Sequence, residues 1–225
     1  MIPKMNCTET IKKIISGINE HTGASKANLT DAVAELIAKS KRYNSIIGGI
    51  CSATVEEVRA EDFGSITKII DYLFRNNPDL RYVELPHTVT TLGQNCFDGC
   101  TNLDMPYLPD GIEVLNYRTF ADCRNLTLSE LPDMLRYIDE AAFYYCTNLR
   151  IAEIPAGVET IKRNAFGYCS SIESITFRGT PTSIAGGVFN NCSKLKVINV
   201  PWSKGEVANA PWGALNATIN YNCTV

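Results

Sequence analysis

The chain has 225 residues, of which 45% are hydrophobic, so it is long enough to bury one sizeable core. It carries 21 basic and 24 acidic residues, and this even balance argues against a protein that binds nucleic acid through a basic surface. No apolar stretch is long enough to span a bilayer, and the first residues lack the apolar stretch of a secretory signal. We therefore expect a cytoplasmic or virion-associated protein, or a surface or secreted one if a signal has been removed.

Residues 1–45 predict a small helical module at the N-terminus. Apolar residues recur at helical spacing in two stretches: Ile11, Ile14, Ile15 and Ile18, then Leu29, Val33, Leu36 and Ile37. Two short helices bury too little surface to be stable alone, so they pack on each other, on the next domain or on copies of themselves. A cap and a module for attachment or homo-oligomerisation both remain open, and residues 46–62 are expected to be a connector.

From residue 63 to residue 225, the sequence repeats with a period of 23 residues. Phenylalanine keeps this period at Phe97, Phe120, Phe143, Phe166 and Phe189, and cysteine at Cys100, Cys123, Cys146, Cys169 and Cys192. The best copy is "PAGVETIKRNAFGYCSSIESITF", residues 155–177. A strict period of this length predicts a solenoid, in which each unit buries its apolar side against its neighbours. We count about seven units, of which the first and last are atypical caps.

Each unit divides into three short segments. The segment L-x-x-I-x-L alternates with period two and predicts a strand, which a proline then ends. V-x-x-I is a second extended or turn segment, and A-F-x-x-C is a turn that carries the aromatic ring inward. The first unit departs from this scheme with a more helical first half, "ITKIIDYLFRNN". Stacking of the strands predicts one continuous parallel sheet, roughly 30 Å long.

The nine cysteines first raise the question of a disulfide framework or a zinc site. Five of them belong to the repeat, so their side chains are spread along the solenoid axis and do not converge on a point, as zinc ligands must. We therefore assign them to structural packing and expect no metal and no cofactor. Cys96 is an extra residue in one unit, and a disulfide between Cys96 and Cys100 remains open.

The pattern "LP-x-x-V-x-x-I-x-x-x-AF-x-x-C-x-x-L" resembles the BspA-like, or Treponema pallidum-type, leucine-rich repeats. The resemblance covers residues 63–225. It implies an α/β solenoid, a right-handed superhelix of 23-residue units with short parallel strands on its concave face. It also implies binding or adhesion rather than catalysis, with a protein partner such as a host surface protein.

The two ends of the chain carry a second resemblance. "INEHTGASKANLTDAVAELI" (residues 18–37) is similar to N-terminal modules of prophage-encoded structural proteins of gut bacteria, and "PWGALNATINYN" (residues 211–222) is similar to closing segments of repeat proteins in that setting. This resemblance implies an alternative role as a virion or tail-associated structural protein.

No catalytic site is predicted. The two histidines, His21 and His87, lie in unrelated segments, and the sequence has no glycine-rich phosphate loop and none of the common hydrolase or metalloprotease motifs.

The candidate binding surface consists of two rows of residues on the predicted concave strands. The first row is an apolar stripe: Tyr82, Met105, Leu128, Ile151, Ser174 and Val197. The second row is Glu84, Tyr107, Glu130, Glu153, Thr176 and Asn199. Because Glu130 and Glu153 fall on adjacent strands, a basic partner or Arg150 is expected to offset their repulsion. These rows predict a partner with an apolar centre and a basic rim.

Tyrosines form a third group, at Tyr117, Tyr137, Tyr144, Tyr145 and Tyr168. They either cover the phenylalanine turn or stack on sugars, so carbohydrate binding is a further alternative.

Overall fold

A computed structural model describes residues 56–63 and 66–224. This part of the chain forms a parallel β-solenoid of about seven coils, which repeat at a spacing of about 23 residues. The predicted helical module, residues 1–45, lies outside the described residues, as does most of the predicted connector.

Two rows of short parallel strands run along the solenoid, and we call them sheet I and sheet II. Sheet I contains β1 (Glu57–Val58), β3 (Tyr82–Val83), β7 (Glu153–Ile154), β9 (Ser174–Phe177), β11 (Val197–Asn199) and β12 (Thr218–Asn220). Sheet II contains β2 (Lys68–Ile69), β4 (Thr91–Leu92), β5 (Val114–Leu115), β6 (Tyr137–Ile138), β8 (Thr160–Ile161) and β10 (Ser183–Ile184). A single helical turn, α1 (Ala60–Phe63), follows β1.

Sheet II is formed by the V-x-x-I segments, which the sequence predicted only as extended or turn segments. Each coil therefore contributes to two rows of strands. Partners such as Ile138 and Ile161 are 23 residues apart and both buried, because every unit places its isoleucine or leucine at the same inward position. At the N-terminal end, β1 pairs with β3, so sheet I begins inside the predicted connector.

The prediction of a more helical first half in the first unit is wrong. This segment contains β2 and a run of turns, as the other units do. Tyr72 and Asn76 have φ values of 64° and 58°, which an α-helix cannot include.

The phenylalanine side chains form a continuous stack through the core. All five repeat phenylalanines and Phe74 are buried, and neighbouring rings are 5.3–5.6 Å apart and nearly parallel. Each ring therefore packs on the ring of the previous coil, and the stack couples the coils to their neighbours.

The repeat cysteines form a second ladder beside the phenylalanines. Each thiol is buried and donates a hydrogen bond to the carbonyl oxygen of the phenylalanine 26 residues earlier, at Sγ–O distances of 2.9–3.1 Å. At the first coil Asn77 replaces the cysteine, and its side-chain oxygen accepts from the backbone N–H of Asp79. A small apolar side chain with one weak donor fits this position, because it fills the core and still satisfies a loop carbonyl.

Cys96 and Cys100 are both free thiols in the structure. Burial raises the pKa of the Cys100 thiol to about 12 and raises that of Cys96 well above its ordinary value. Since the thiolate is the reactive form, burial and the raised pKa both disfavour reaction of these two thiols in the folded chain.

We expect iodoacetamide to modify Cys223 in the native protein and to leave the six other described cysteines unmodified. Cys223 is partly exposed, whereas the others are buried. Peptide mapping by mass spectrometry measures each site, and denaturation before alkylation should make all of them reactive. Rapid native modification of Cys123 or Cys146 would show that the thiol ladder is not a closed core.

Candidate partner-binding face of sheet I

Sheet I is divided into two parts by a change in the repeat pattern. In each 23-residue unit, a six-residue segment contributes to sheet I. Segments 80–85, 172–177 and 195–200 follow the pattern L-x-x-I-x-L, with inward residues at the fourth and sixth positions. Segments 103–108, 126–131 and 149–154 follow the pattern L-x-I-x-x-L instead, so their inward residues are the third and the sixth. In the described part of the chain, segment 126–131 forms no strand, and the N-terminal part of the sheet ends in a single bridge between Tyr82 and Asp104.

This change of pattern overturns the prediction of an exposed apolar stripe. Met105, Leu128 and Ile151 are 2%, 3% and 1% exposed, because each fills the inward third position of its unit. Tyr82 and Val197 are partly exposed and Ser174 is exposed, since these three lie in the other type of unit. Met105, Leu128 and Ile151 therefore belong to the core, and the first row is not a continuous exposed apolar stripe.

The N-terminal part of sheet I presents an aromatic group. The rings of His87 and Tyr107 stack at 5.1 Å, and the Tyr107 hydroxyl donates to the carbonyl oxygen of Leu85 at 2.9 Å. The Arg59 guanidinium lies over the Tyr82 ring at 5.3 Å. Partial burial, followed by the nearby Glu84 carboxylate, raises the pKa of the Tyr107 phenol. Sequence reasoning had placed Tyr82, Glu84 and Tyr107 on this face but had missed His87.

The C-terminal part of sheet I presents a row of polar side chains. Glu153, Thr176, Asn199 and Asn220 occupy equivalent positions on β7, β9, β11 and β12. Asn199 donates to the Thr176 hydroxyl at 3.2 Å, and Asn220 donates to the Asn199 side-chain oxygen at 2.9 Å. These bonds orient the amide groups, which keep further donor and acceptor capacity for a ligand.

Glu153 is neutralised within the chain by Arg178, in a two-bond ion pair that the sequence analysis missed. The Arg178 guanidinium holds the pKa of Glu153 below its ordinary value. Both side chains are largely exposed, so the pair adds little stability, but it removes one reason to expect a basic partner. Glu130 lies in the interrupted segment, so it is not the strand neighbour of Glu153 that the sequence predicted.

A shallow groove of about 330 Å³ opens where segment 149–154 meets segment 172–177. Its lining residues are Arg150, Ile151, Ala152, Ser171, Ile172, Glu173, Ser174 and Lys194. The groove coincides with the change of pattern: Ile151 points inward and is buried, while Ser174, at the equivalent position of the next coil, faces solvent. The change of spacing was visible in the sequence and could have located the groove.

Three of the five tyrosines form a cluster on the turn side of the coil. Tyr145 and Tyr168 stack at 4.2 Å, and Tyr144 meets both rings edge-on. The Arg124 guanidinium lies over Tyr145 at 5.8 Å, one coil away on the side opposite to Tyr168. Both faces of the Tyr145 ring are therefore covered, which favours the interpretation of these residues as a cover for the turn. Tyr117 and Tyr137 lie outside this cluster, and Lys162 lies over the Tyr137 ring.

Among residues 56–63 and 66–224, no three His, Cys, Asp or Glu side chains come together in a group that could hold a metal ion. Within the same ranges, no helix has the length and apolar character that crossing a membrane requires.

Comparisons with solved structures find leucine-rich repeat proteins. A leucine-rich repeat protein of Bacteroides ovatus is 30% identical, with a TM-score of 0.52, over 60% of this chain and 35% of that one. A leucine-rich cell surface protein of Faecalibacterium prausnitzii is 27% identical, with a TM-score of 0.47, over 60% of this chain and 43% of that one. The T. pallidum leucine-rich repeat protein is 24% identical, with a TM-score of 0.40, over 70% and 64% of the two chains.

The chain thus spans about a third of the length of the B. ovatus protein. No curated protein sequence matches the chain. The family model described as the BspA type leucine-rich repeat region, in six copies, matches residues 55–206, which is more than half of the chain. This match confirms the resemblance that the repeat pattern suggested: the chain belongs to the BspA-type leucine-rich repeat family.

Proposed function

We propose that the chain is a non-enzymatic module that binds a protein partner through the outward face of sheet I. The observation that carries this proposal is the contrast between the two sides of the strands. The inward positions repeat the same residue types from coil to coil, as the buried phenylalanine, cysteine and leucine columns show. The outward positions vary in chemical type along the row, as in the series Glu84, Tyr107, Glu130, Glu153, Thr176 and Asn199.

Stability alone gives no reason for such variety, because any polar residue would suit an exposed strand position. A fixed frame with a variable face is how solenoid proteins build binding surfaces. The stacked His87 and Tyr107 add an aromatic contact of the kind that is enriched in protein interfaces. Adhesion to a host surface protein is one setting for this function. The prophage structural role rests on the resemblances at residues 18–37 and 211–222, and homo-oligomerisation on the helical module at residues 1–45, which lies outside the described residues.

The test uses peptides selected from a random displayed library against the whole chain. Binding is then measured to a sheet I variant, Thr176→Arg with Asn199→Arg, in which two adjacent strands carry the changes. The matched control is Thr160→Arg with Ser183→Arg, on adjacent strands of sheet II. We expect the sheet I variant to lose at least tenfold in affinity and the control to keep the wild-type value, because binding energy concentrates in few contacts. Equal binding by both variants, or a loss confined to the sheet II variant, would contradict the proposal.

A further inference from the structure

The groove at the pattern change has a net positive lining. Its charged lining residues are two cations, Arg150 and Lys194, and a single carboxylate, Glu173. Among residues 56–63 and 66–224, neither cation forms an ion pair, although Glu173 lies one coil from Arg150. The two charges are therefore available to a ligand, and Ser171 and Ser174 add hydroxyl groups that donate or accept.

The strand beside the groove is also paired unequally on its two sides. Towards the C-terminus, β9 pairs with β11 through Ser174, Ile175 and Thr176. Towards the N-terminus, its pairing with β7 begins only at Thr176. The first two residues of β9 thus have a strand partner on one side alone, and the groove lies on the other side.

From these features we infer that the groove binds an acidic segment of the protein partner and receives an Asp or Glu carboxylate within reach of Arg150 and Lys194. This inference rests on the proposed function, since the groove opens at the edge of sheet I. A guanidinium binds a carboxylate through two parallel hydrogen bonds, and the ammonium group adds a second charge. The volume of about 330 Å³ is at the low end for ligand sites, which run from roughly 300 to 1,000 Å³, so it suits a side chain or a short segment.

The probe is a fluorescein-labelled hexaglutamate peptide, titrated with the whole chain at low ionic strength and followed by anisotropy. Hexaglutamine and hexalysine serve as comparison peptides. We expect hexaglutamate alone to bind. The double variant Arg150→Gln with Lys194→Gln should bind it at least tenfold more weakly, because both charge-assisted contacts are lost. Glu173→Gln should bind it severalfold more tightly, because the one opposing carboxylate is removed.

A gain of affinity in Glu173→Gln would separate the inference from a loss of structure, because a misfolded variant would not produce it. The matched control for the double variant is Arg163→Gln with Lys204→Gln, which removes the same charge from exposed positions outside the groove lining. A control that weakens binding as much as the groove variant would overturn the inference and indicate a diffuse charge effect. Hexaglutamate that binds no better than hexaglutamine would also overturn it. A sulfated oligosaccharide that bound more tightly, with the same dependence on Arg150, would overturn the peptide as occupant.

The outcome can be separated from that of the proposed function. If the Thr176→Arg, Asn199→Arg variant loses the selected peptides while hexaglutamate fails to bind wild type, sheet I binds a partner and the groove inference alone is overturned. If hexaglutamate binding depends on Arg150 and Lys194 while the sheet I variant keeps its selected peptides, the groove stands and the wider sheet I face does not.

Discussion

Replacing Phe143 by alanine is expected to destabilise the chain by about 3–5 kcal/mol, the usual cost of removing a buried phenylalanine. The Phe143 ring is fully buried and stacks between Phe120 and Phe166, at 5.5 Å from each. The substitution therefore leaves a cavity and also removes two ring contacts, which couple one coil to the next on each side. Urea unfolding of the whole chain, followed by circular dichroism, measures the change.

The matched control is Tyr144→Ala, one residue further along the same turn. Tyr144 is partly exposed and its ring packs edge-on against Tyr145 and Tyr168 in the outer cluster, so we expect a loss of about 1 kcal/mol. Phe143→Leu keeps most of the volume and should fall between the two. If Phe143→Ala were no more destabilising than Tyr144→Ala, the phenylalanine stack would not be what holds the coils together.

The period of the sequence was sufficient to predict the frame of the solenoid. Phe97, Cys100 and their equivalents occupy the same inward positions in every coil, so the 23-residue period predicts which residues are buried in each coil. The consensus concealed the change of pattern, because an average over units assigns one strand register to all of them. Val83 is the fourth residue of its unit and Met105 the third, and the bridge between Tyr82 and Asp104 spans 22 residues instead of 23.

The side-chain pairs of the face were beyond the reach of the sequence for a different reason. Arg178 contacts Glu153 from 25 residues away, and His87 stacks on Tyr107 from 20 away, so neither pair keeps the period of the repeat. Such contacts depend on the path that an extended side chain takes across the face of the coil. A repeat pattern predicts the backbone position of each side chain, but it does not predict which residue the charged or polar end of a long side chain contacts.

A charge at Leu128 is expected to unfold the chain rather than to alter a surface. Leu128 is 3% exposed and occupies the inward third position of its unit. Leu128→Glu places a carboxylate among apolar side chains with no partner, which costs several kcal/mol or more. A binding assay with this variant would therefore report loss of structure. If Leu128 were exposed, as the sequence analysis predicted, the same assay would report loss of a binding contact.

The adjacent residue provides the matched comparison. Ser129 is exposed, and Ser129→Glu should change the free energy of unfolding by less than about 0.5 kcal/mol. In a unit of the regular pattern the two positions exchange roles, as Ser174 outward and Ile175 inward show. Urea unfolding of the two variants thus determines the register of segment 126–131 without a structure. If Ser129→Glu unfolded the chain and Leu128→Glu were tolerated, the strand would follow the regular pattern and the apolar stripe would be exposed after all. If Leu128→Glu unfolds the chain and Ser129→Glu is tolerated, segment 126–131 follows the changed pattern, with its third residue inward.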